Sequence, residues 1–204
     1  MVDCLSRQAI RMLLASSPRR NSAHKDGMLN VGRPGQVVRG RTARVLHFGY
    51  KYDYTNRKLD ETARIGPLPE WLTQLSNLVR EAASEEAKQL LDPDQPFEQA
   101  IINEYLPGQG IAPHIDRDCF GPIVATVSLG SAVNMDFYRD STGNEYVQRL
   151  EPRSLVLLYG DARSKWRHGI AKRHSDTWNG LKTKRQRRVS ITFRTIAEPG
   201  PAQT

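Results

Sequence analysis

The chain has 204 residues, 38% of them hydrophobic and 25% charged, and its 30 lysines and arginines outnumber 22 acids for a net charge of +8. That suits one domain with a sizeable core, and no apolar run approaches the roughly 20 residues a membrane helix requires. Two cysteines, Cys4 and Cys119, are too few for a disulfide framework or a cysteine zinc site. The basic excess favours a polyanionic partner, with nucleic acid first and an anionic membrane surface second.

Residues 1–25 are rich in Arg and Ser, with Asp3 their only acid. Leu5, Ile10, Leu13 and Leu14 fall on one helical stripe with Arg7 and Arg11 off it, which is the pattern of an organelle transit peptide. A disordered basic tail is the preferred reading, with cytoplasmic or nuclear residence. Residues 15–42, rich in Ser, Arg, Gly and Pro without a period, read as a linker or irregular arm. Three units follow: a basic, disordered or atypical arm over 1–43, one domain over 44–197, and a tail over 198–204.

The alternation of Phe48, Tyr50, Tyr52 and Tyr54 with Gly49, Lys51 and Asp53 predicts a strand over Val45–Tyr54. Pro67 and Pro69 precede a helix whose buried face is Trp71, Leu75, Leu78, Val79 and Ala82, stopped by Asp92-Pro93. Beyond Ala100 the chain reads as short strands between glycine turns: Ile101–Tyr105, Ile123–Leu129, Val133–Tyr138, Tyr146–Leu150, Ser154–Tyr159 and Arg188–Thr195. Many short strands with few helices predict a mostly β fold, a double-stranded β-helix (jelly-roll) barrel with supporting helices.

Two constellations carry chemistry. In His114-Ile115-Asp116 an imidazole and a carboxylate stand two residues apart, so in extended backbone they face one side. A distant second histidine would complete the two-His-one-carboxylate triad of non-haem iron(II) oxygenases. His168, in Trp166-Arg167-His168-Gly169-Ile170, is preferred to His174 in its charged stretch; His24 and His47 receive no role. In the last strand Arg188, Ser190, Thr192 and Arg194 share one face and Val189, Ile191 and Phe193 the other. Two arginines on an inner wall require an anion, and a dicarboxylate supplies one that their planar forks fit. Outward-facing surface arginines are the plain alternative. Asn103 and Tyr105 repeat the i, i+2 pattern and offer hydrogen bonds to a carboxylate.

Taken in order, the segments HFGYKYDY, NEYLPGQGIAPHID, SLGSAVNMDF, EPRSLVLLYGDAR, WRHGI and RRVSITFR resemble the AlkB family of Fe(II)/2-oxoglutarate dioxygenases over about residues 44–197. The resemblance implies that His114, Asp116 and His168 bind iron. It implies that Arg188 and Arg194 hold the two ends of 2-oxoglutarate, assisted by Asn103, Tyr105 and Ser190, with O₂ as the second cosubstrate. It places Tyr50 in a nucleotide-binding lid and Asp118 where repair members carry an acid beside the target base. Two departures stand out: residues 1–43 do not match the family's N-terminal elements, and Ser190 replaces the Asn of some repair members.

The implied function is oxidation of alkyl groups on DNA or RNA bases by a monomer acting on single-stranded or flipped bases without a membrane. Removal of N-methyl damage comes first. Hydroxylation of a tRNA wobble uridine and catalytically silent nucleic-acid binding are the alternatives. Lys182, Lys184 and Arg185, in the basic loop before the last strand, are expected to contact phosphates, as are Arg163, Lys165, Arg167, Lys172, Arg173 and Arg187 around it.

Overall fold

The computed structural model describes residues 2–5, 36–39, 44–53 and 58–197. The expectations that rest on Ile10, Leu13, Leu14, Tyr54, the tail and most of the arm lie outside those residues.

Strands are numbered along the chain. The large sheet has seven antiparallel strands in the order β1 (Val2–Leu5), β11 (Ser154–Leu158), β8 (Phe120–Gly130), β15 (Arg188–Ile196), β6 (Gln99–Tyr105), β3 (Arg44–Phe48) and β2 (Gln36–Arg39). The small sheet has four, in the order β10 (Asn144–Leu150), β9 (Val133–Arg139), β12 (Arg167–Ile170) and β7 (Ile111–His114). Two hairpins, β4 (Tyr50–Asp53) with β5 (Lys58–Arg64) and β13 (Ser175–Trp178) with β14 (Leu181–Lys184), stand beside them. Two facing antiparallel sheets with helices against one of them make the jelly roll that the strand pattern predicts.

The period of two sorts the core. Ile123, Ala125, Val127, Leu155, Leu157, Ile191 and Phe193 turn to the outer side of the large sheet and pack with Leu72, Val79 and Ala83. Leu72 and Val79 belong to helix α1 (Glu70–Glu81), which is followed by the short α2 (Glu85–Lys88). The intervening Val124, Val156 and Leu158 turn inward and pack with Val133, Met135, Phe137, Leu150 and Ile170 of the small sheet. Each such side chain contributes roughly 1.5–3 kcal/mol through burial.

Several sequence expectations shift. The strand expected over Val45–Tyr54 is two strands, because Gly49 breaks it at φ 78, with the carbonyl of Glu98 occupying the space a Cβ would take. Helix α1 ends at Glu81, short of Asp92-Pro93, and its buried face is Leu72, Ser76 and Val79, one position round from the one expected; Trp71 is exposed and Leu75 half-buried. Within the arm, Val2–Leu5 is a strand rather than part of a helical stripe, paired to β11, and Gln36–Arg39 pairs to β3.

Candidate metal centre and cosubstrate site

β7 and β12 lie side by side with His114 opposite His168 in register. Gly169 permits the approach, since a Cβ there would meet the Pro113 nitrogen at 2.8 Å and the Ile111 carbonyl at 2.9 Å. The loop after β7 then brings the Asp116 carboxylate back beside the two rings. One ligand atom from each of His114, Asp116 and His168 lies within 4.8 Å of the others. The His114 and His168 rings are 4.6 Å apart, and His168 Nε2 is 3.4 Å from Asp116 Oδ2. His174 stays outside the cluster, packed against Gly108.

The donor set fits a divalent metal. Asp116 Oδ2 is buried and has no hydrogen-bond partner among the described residues, while Oδ1 accepts two bonds from Arg194, at 3.0 Å from Nε and 2.6 Å from Nη2. Burial alone would raise the Asp116 pKa, but Arg194, His168 and His114 override it and leave it at about 2. Burial lowers the His168 pKa to about 4 against the pull of Asp116. At neutral pH Asp116 is therefore an ionised carboxylate and His168 a neutral imidazole, the forms in which each binds a metal. His114 Nδ1 lies 2.9 Å from the carbonyl of Ala112, a contact that favours the tautomer with Nε2 free to bind.

The last strand carries its polar face inward. Ser190 lies opposite Asn103 on β6 and Ser128 on β8, and Arg188 lies opposite Tyr105. Arg188 is 4% exposed, sits 5.5 Å from the centre of the Tyr105 ring and donates to Ser128 Oγ at 2.9 Å; its buried Nε has no partner among the described residues. Burial lowers the Arg188 pKa to about 10, with Tyr105 opposing and Arg185 reinforcing the shift. The Tyr105 pKa is raised by burial, against the effects of Arg188 and of a hydrogen bond with Ser190. A buried guanidinium with an open donor is the environment an incoming carboxylate would complete. Arg194, at the other end, lies over Phe120 at 4.7 Å and is held by Asp116 and by Gln99 Oε1 at 3.1 Å. The structure thus brings His114, Asp116, His168 and Arg194 together, with Arg188, Tyr105, Asn103 and Ser190 along the same inner wall.

The expected substrate residues are dispersed. Asp118 is exposed in the loop beyond Asp116, and Tyr50 is half-buried at the start of β4. Lys182 and Lys184 are exposed on β14. Arg185 corrects the expectation of a phosphate contact: it is 7% exposed, bonds Asp176 through Nε at 2.6 Å and Nη2 at 2.7 Å, and gives Nη1 to the Ala171 carbonyl. Arg163, at 6% exposed, is likewise removed from the basic surface. Sequence reasoning missed Gln99 and His47, both fully buried, the latter with its pKa lowered to about 4 by burial and then by Arg194 and Lys51. Their places opposite Arg194 and Ile101 were legible only once the register was known.

Comparison with known proteins agrees with this geometry. The family model of the 2OG-Fe(II) oxygenase superfamily matches residues 3–194. A protein of Acanthamoeba polyphaga mimivirus, L905, is 38% identical over 152 residues, covering 71% of this chain and 68% of that protein. The mouse tRNA (carboxymethyluridine(34)-5-O)-methyltransferase ALKBH8 is 34% identical over 170 residues, 75% of this chain but 24% of that protein. The Arabidopsis thaliana alkylated DNA repair protein ALKBH8 homolog is 31% identical over 173 residues, 75% of this chain and 49% of that protein. The chain therefore spans about a quarter and about half of these two longer relatives. In fold it is similar to OsALKBH1, at a TM-score of 0.56 and 17% identity over 95% of this chain and 97% of that one. The chain belongs to the 2OG-Fe(II) oxygenase superfamily of 2-oxoglutarate-dependent dioxygenases, and its similarity to the ALKBH8 proteins agrees with the AlkB resemblance of its sequence.

Proposed function

We propose that this chain hydroxylates an alkyl carbon on a base of RNA. The observation that carries the oxidative half is the His114–Asp116–His168 cluster, joined through Arg194 to the wall of the large sheet that also carries Arg188. Iron(II), with 2-oxoglutarate and O₂, supplies an oxidant strong enough for an unactivated C–H bond. His114, Asp116 and His168 would hold the metal. Arg188, with Tyr105, Ser190 and Asn103, would hold the far carboxylate, and Arg194 the near end of the cosubstrate beside Asp116. Thr192, Val124 and Ile170 are buried between the sheets.

The polymer is argued from the relatives. Relatives named for tRNA include the mouse protein and its Macaca fascicularis counterpart, at 35% identity, and both names specify carboxymethyluridine at position 34. The methyl transfer in those names belongs to proteins about four times the length this chain covers, so the substrate polymer and not that reaction is carried over. Hydroxylation of a wobble-uridine side chain is thus the first reading.

Removal of N-methyl groups, the first expectation from sequence, becomes the second. Asp118 favours it, because an exposed carboxylate two residues from Asp116 would attract a cationic base such as 1-methyladenine. The same hydroxylation on an N-methyl carbon ends in loss of formaldehyde. Mass spectrometry of modified tRNA and of methylated oligonucleotides, after incubation with the iron-loaded protein, tests both. A gain of one oxygen on tRNA uridine supports the first reading. Demethylated oligonucleotide that depends on Asp118 would install the second in its place, and neither product would overturn the proposal.

A further inference from the structure

We propose that Arg163 is a positioning residue of the metal site, clamping the loop that delivers Asp116. The loop joins β7 to β8 over residues 115–119 and has no regular secondary structure. Arg163 lies on the short helix α3 (Gly160–Ser164) and aims its guanidinium at the loop's backbone. Nη1 donates to the carbonyl of Asp116 at 2.8 Å; Nη2 donates to that of Arg117 at 2.7 Å and to that of Phe120 at 3.3 Å. One planar fork therefore holds three carbonyls. A lysine, a point charge on a flexible stem, cannot satisfy all three in the same way.

The placement makes the clamp more than local packing. His168 follows five residues after Arg163, so one short segment carries one ligand of the cluster and holds by hydrogen bonds the loop that carries another. With Arg194 fixing the Asp116 carboxylate from β15, the residue is held from both sides, side chain by Arg194 and backbone by Arg163. Without the clamp, the histidines remain where β7 and β12 pair, while Asp116 loses the constraint that holds its Oδ2 towards them. Asp118 and Cys119 lie in the same clamped loop, so the exposed acid of the dealkylation reading depends on it as well.

This inference rests on the metal reading of the cluster, which is tested separately by Co(II) binding to the full chain and its loss in His114→Ala. Given that binding, Arg163→Gln is expected to raise the Co(II) dissociation constant by about tenfold or more, as loss of an outer partner of a metal ligand does. Hydrogen exchange in the metal-free protein should quicken at the amides of 117–119 and stay unchanged along β8 and β11. Arg163→Lys should fall between wild type and Arg163→Gln. Arg139→Gln, which removes a bond to Asp161 of the same helix without touching the loop, should stay within about twofold of wild type. A folded Arg163→Gln with wild-type Co(II) affinity overturns the inference, as does an equal loss in Arg139→Gln. If Arg163→Gln does not fold, Arg163→Lys decides by the same affinity, and failure of both to fold assigns Arg163 to folding alone.

Discussion

The two faces of the large sheet are both largely covered but differ in character. Towards α1 the sheet presents Ala125, Val127, Leu157, Ile191 and Phe193. Towards the small sheet the same strands present Thr126, Ser128, Arg188, Ser190, Thr192 and Arg194, with Gln99 and His47 alongside. The first face is what stability requires. The second is costly without partners, since buried polar and charged groups must be hydrogen-bonded or paired. A protein that keeps such a face keeps it for a ligand, and the contrast separates residues that hold the fold from residues that hold the chemistry.

The sharpest division should come from the cluster itself. His168→Ala is expected to abolish 2-oxoglutarate turnover and Co(II) binding in a folded protein, and His174→Ala to leave both near wild type. The reverse pattern would show that the third ligand was wrongly chosen. On the other face, Phe193→Ala should cost about 3–5 kcal/mol of stability, the usual loss for a fully buried aromatic. The folded fraction should bind Co(II) as wild type does; denaturant unfolding followed by metal titration checks both halves.

Acid should weaken the polar face selectively. His47 and His168 each fall from 6.5 to about 4 on folding, so the unfolded chain binds more protons between those values. Stability of the metal-free protein should therefore be complete above pH 6.5 and decline towards pH 4, by at most about 3 kcal/mol for each. His47→Asn should flatten that decline in thermal melts at graded pH, and an unchanged profile would remove His47 from the account. Arg188→Ala should raise the apparent KM for 2-oxoglutarate about tenfold, close to 1.4 kcal/mol, with Co(II) still bound. An unchanged KM would place the far carboxylate elsewhere.

Much of this was legible in the sequence because periodicity and short spacing are local. The i, i+2 relation of His114 and Asp116 and the alternation from Arg188 to Arg194 survive into the structure, and five of the six strands expected beyond Ala100 lie within two residues of their observed ends. What was not legible depends on register and on distant partners. Gln99 carries no signal in the sequence and His47 receives no role there; only pairing sets them beside Arg194 and Ile101. The clamp by Arg163 joins residues 43 to 47 apart, and nothing in the run Gly160-Asp161-Ala162-Arg163 announces where its side chain goes. β7, β12 and the β13–β14 hairpin were missed because strands of four residues are too short for alternation to show.

The smallest expected effect is in that hairpin, where the contrast between held and free charge recurs in neighbouring residues. Lys182, Lys184 and Arg185 look alike in sequence as a basic run. Folding turns Arg185 inward onto Asp176, whose carboxylate also takes a bond from Arg173 at 2.6 Å, and leaves both lysines exposed on β14. A charge spent on a buried carboxylate cannot also neutralise a phosphate, whereas an exposed ammonium displaces a counterion when a polyanion docks. Lys182→Ala and Lys184→Ala should each flatten the dependence of single-stranded RNA affinity on salt by about 0.7 in the log–log slope. Arg185→Ala should leave the slope as it is and instead destabilise the hairpin, because the buried Asp176 carboxylate loses two charged hydrogen bonds and keeps only Arg173 as an ionic partner. Equal slopes in all three variants would return the two lysines to the solvated surface, and a flatter slope in Arg185→Ala alone would mean that the buried pair opens to meet RNA.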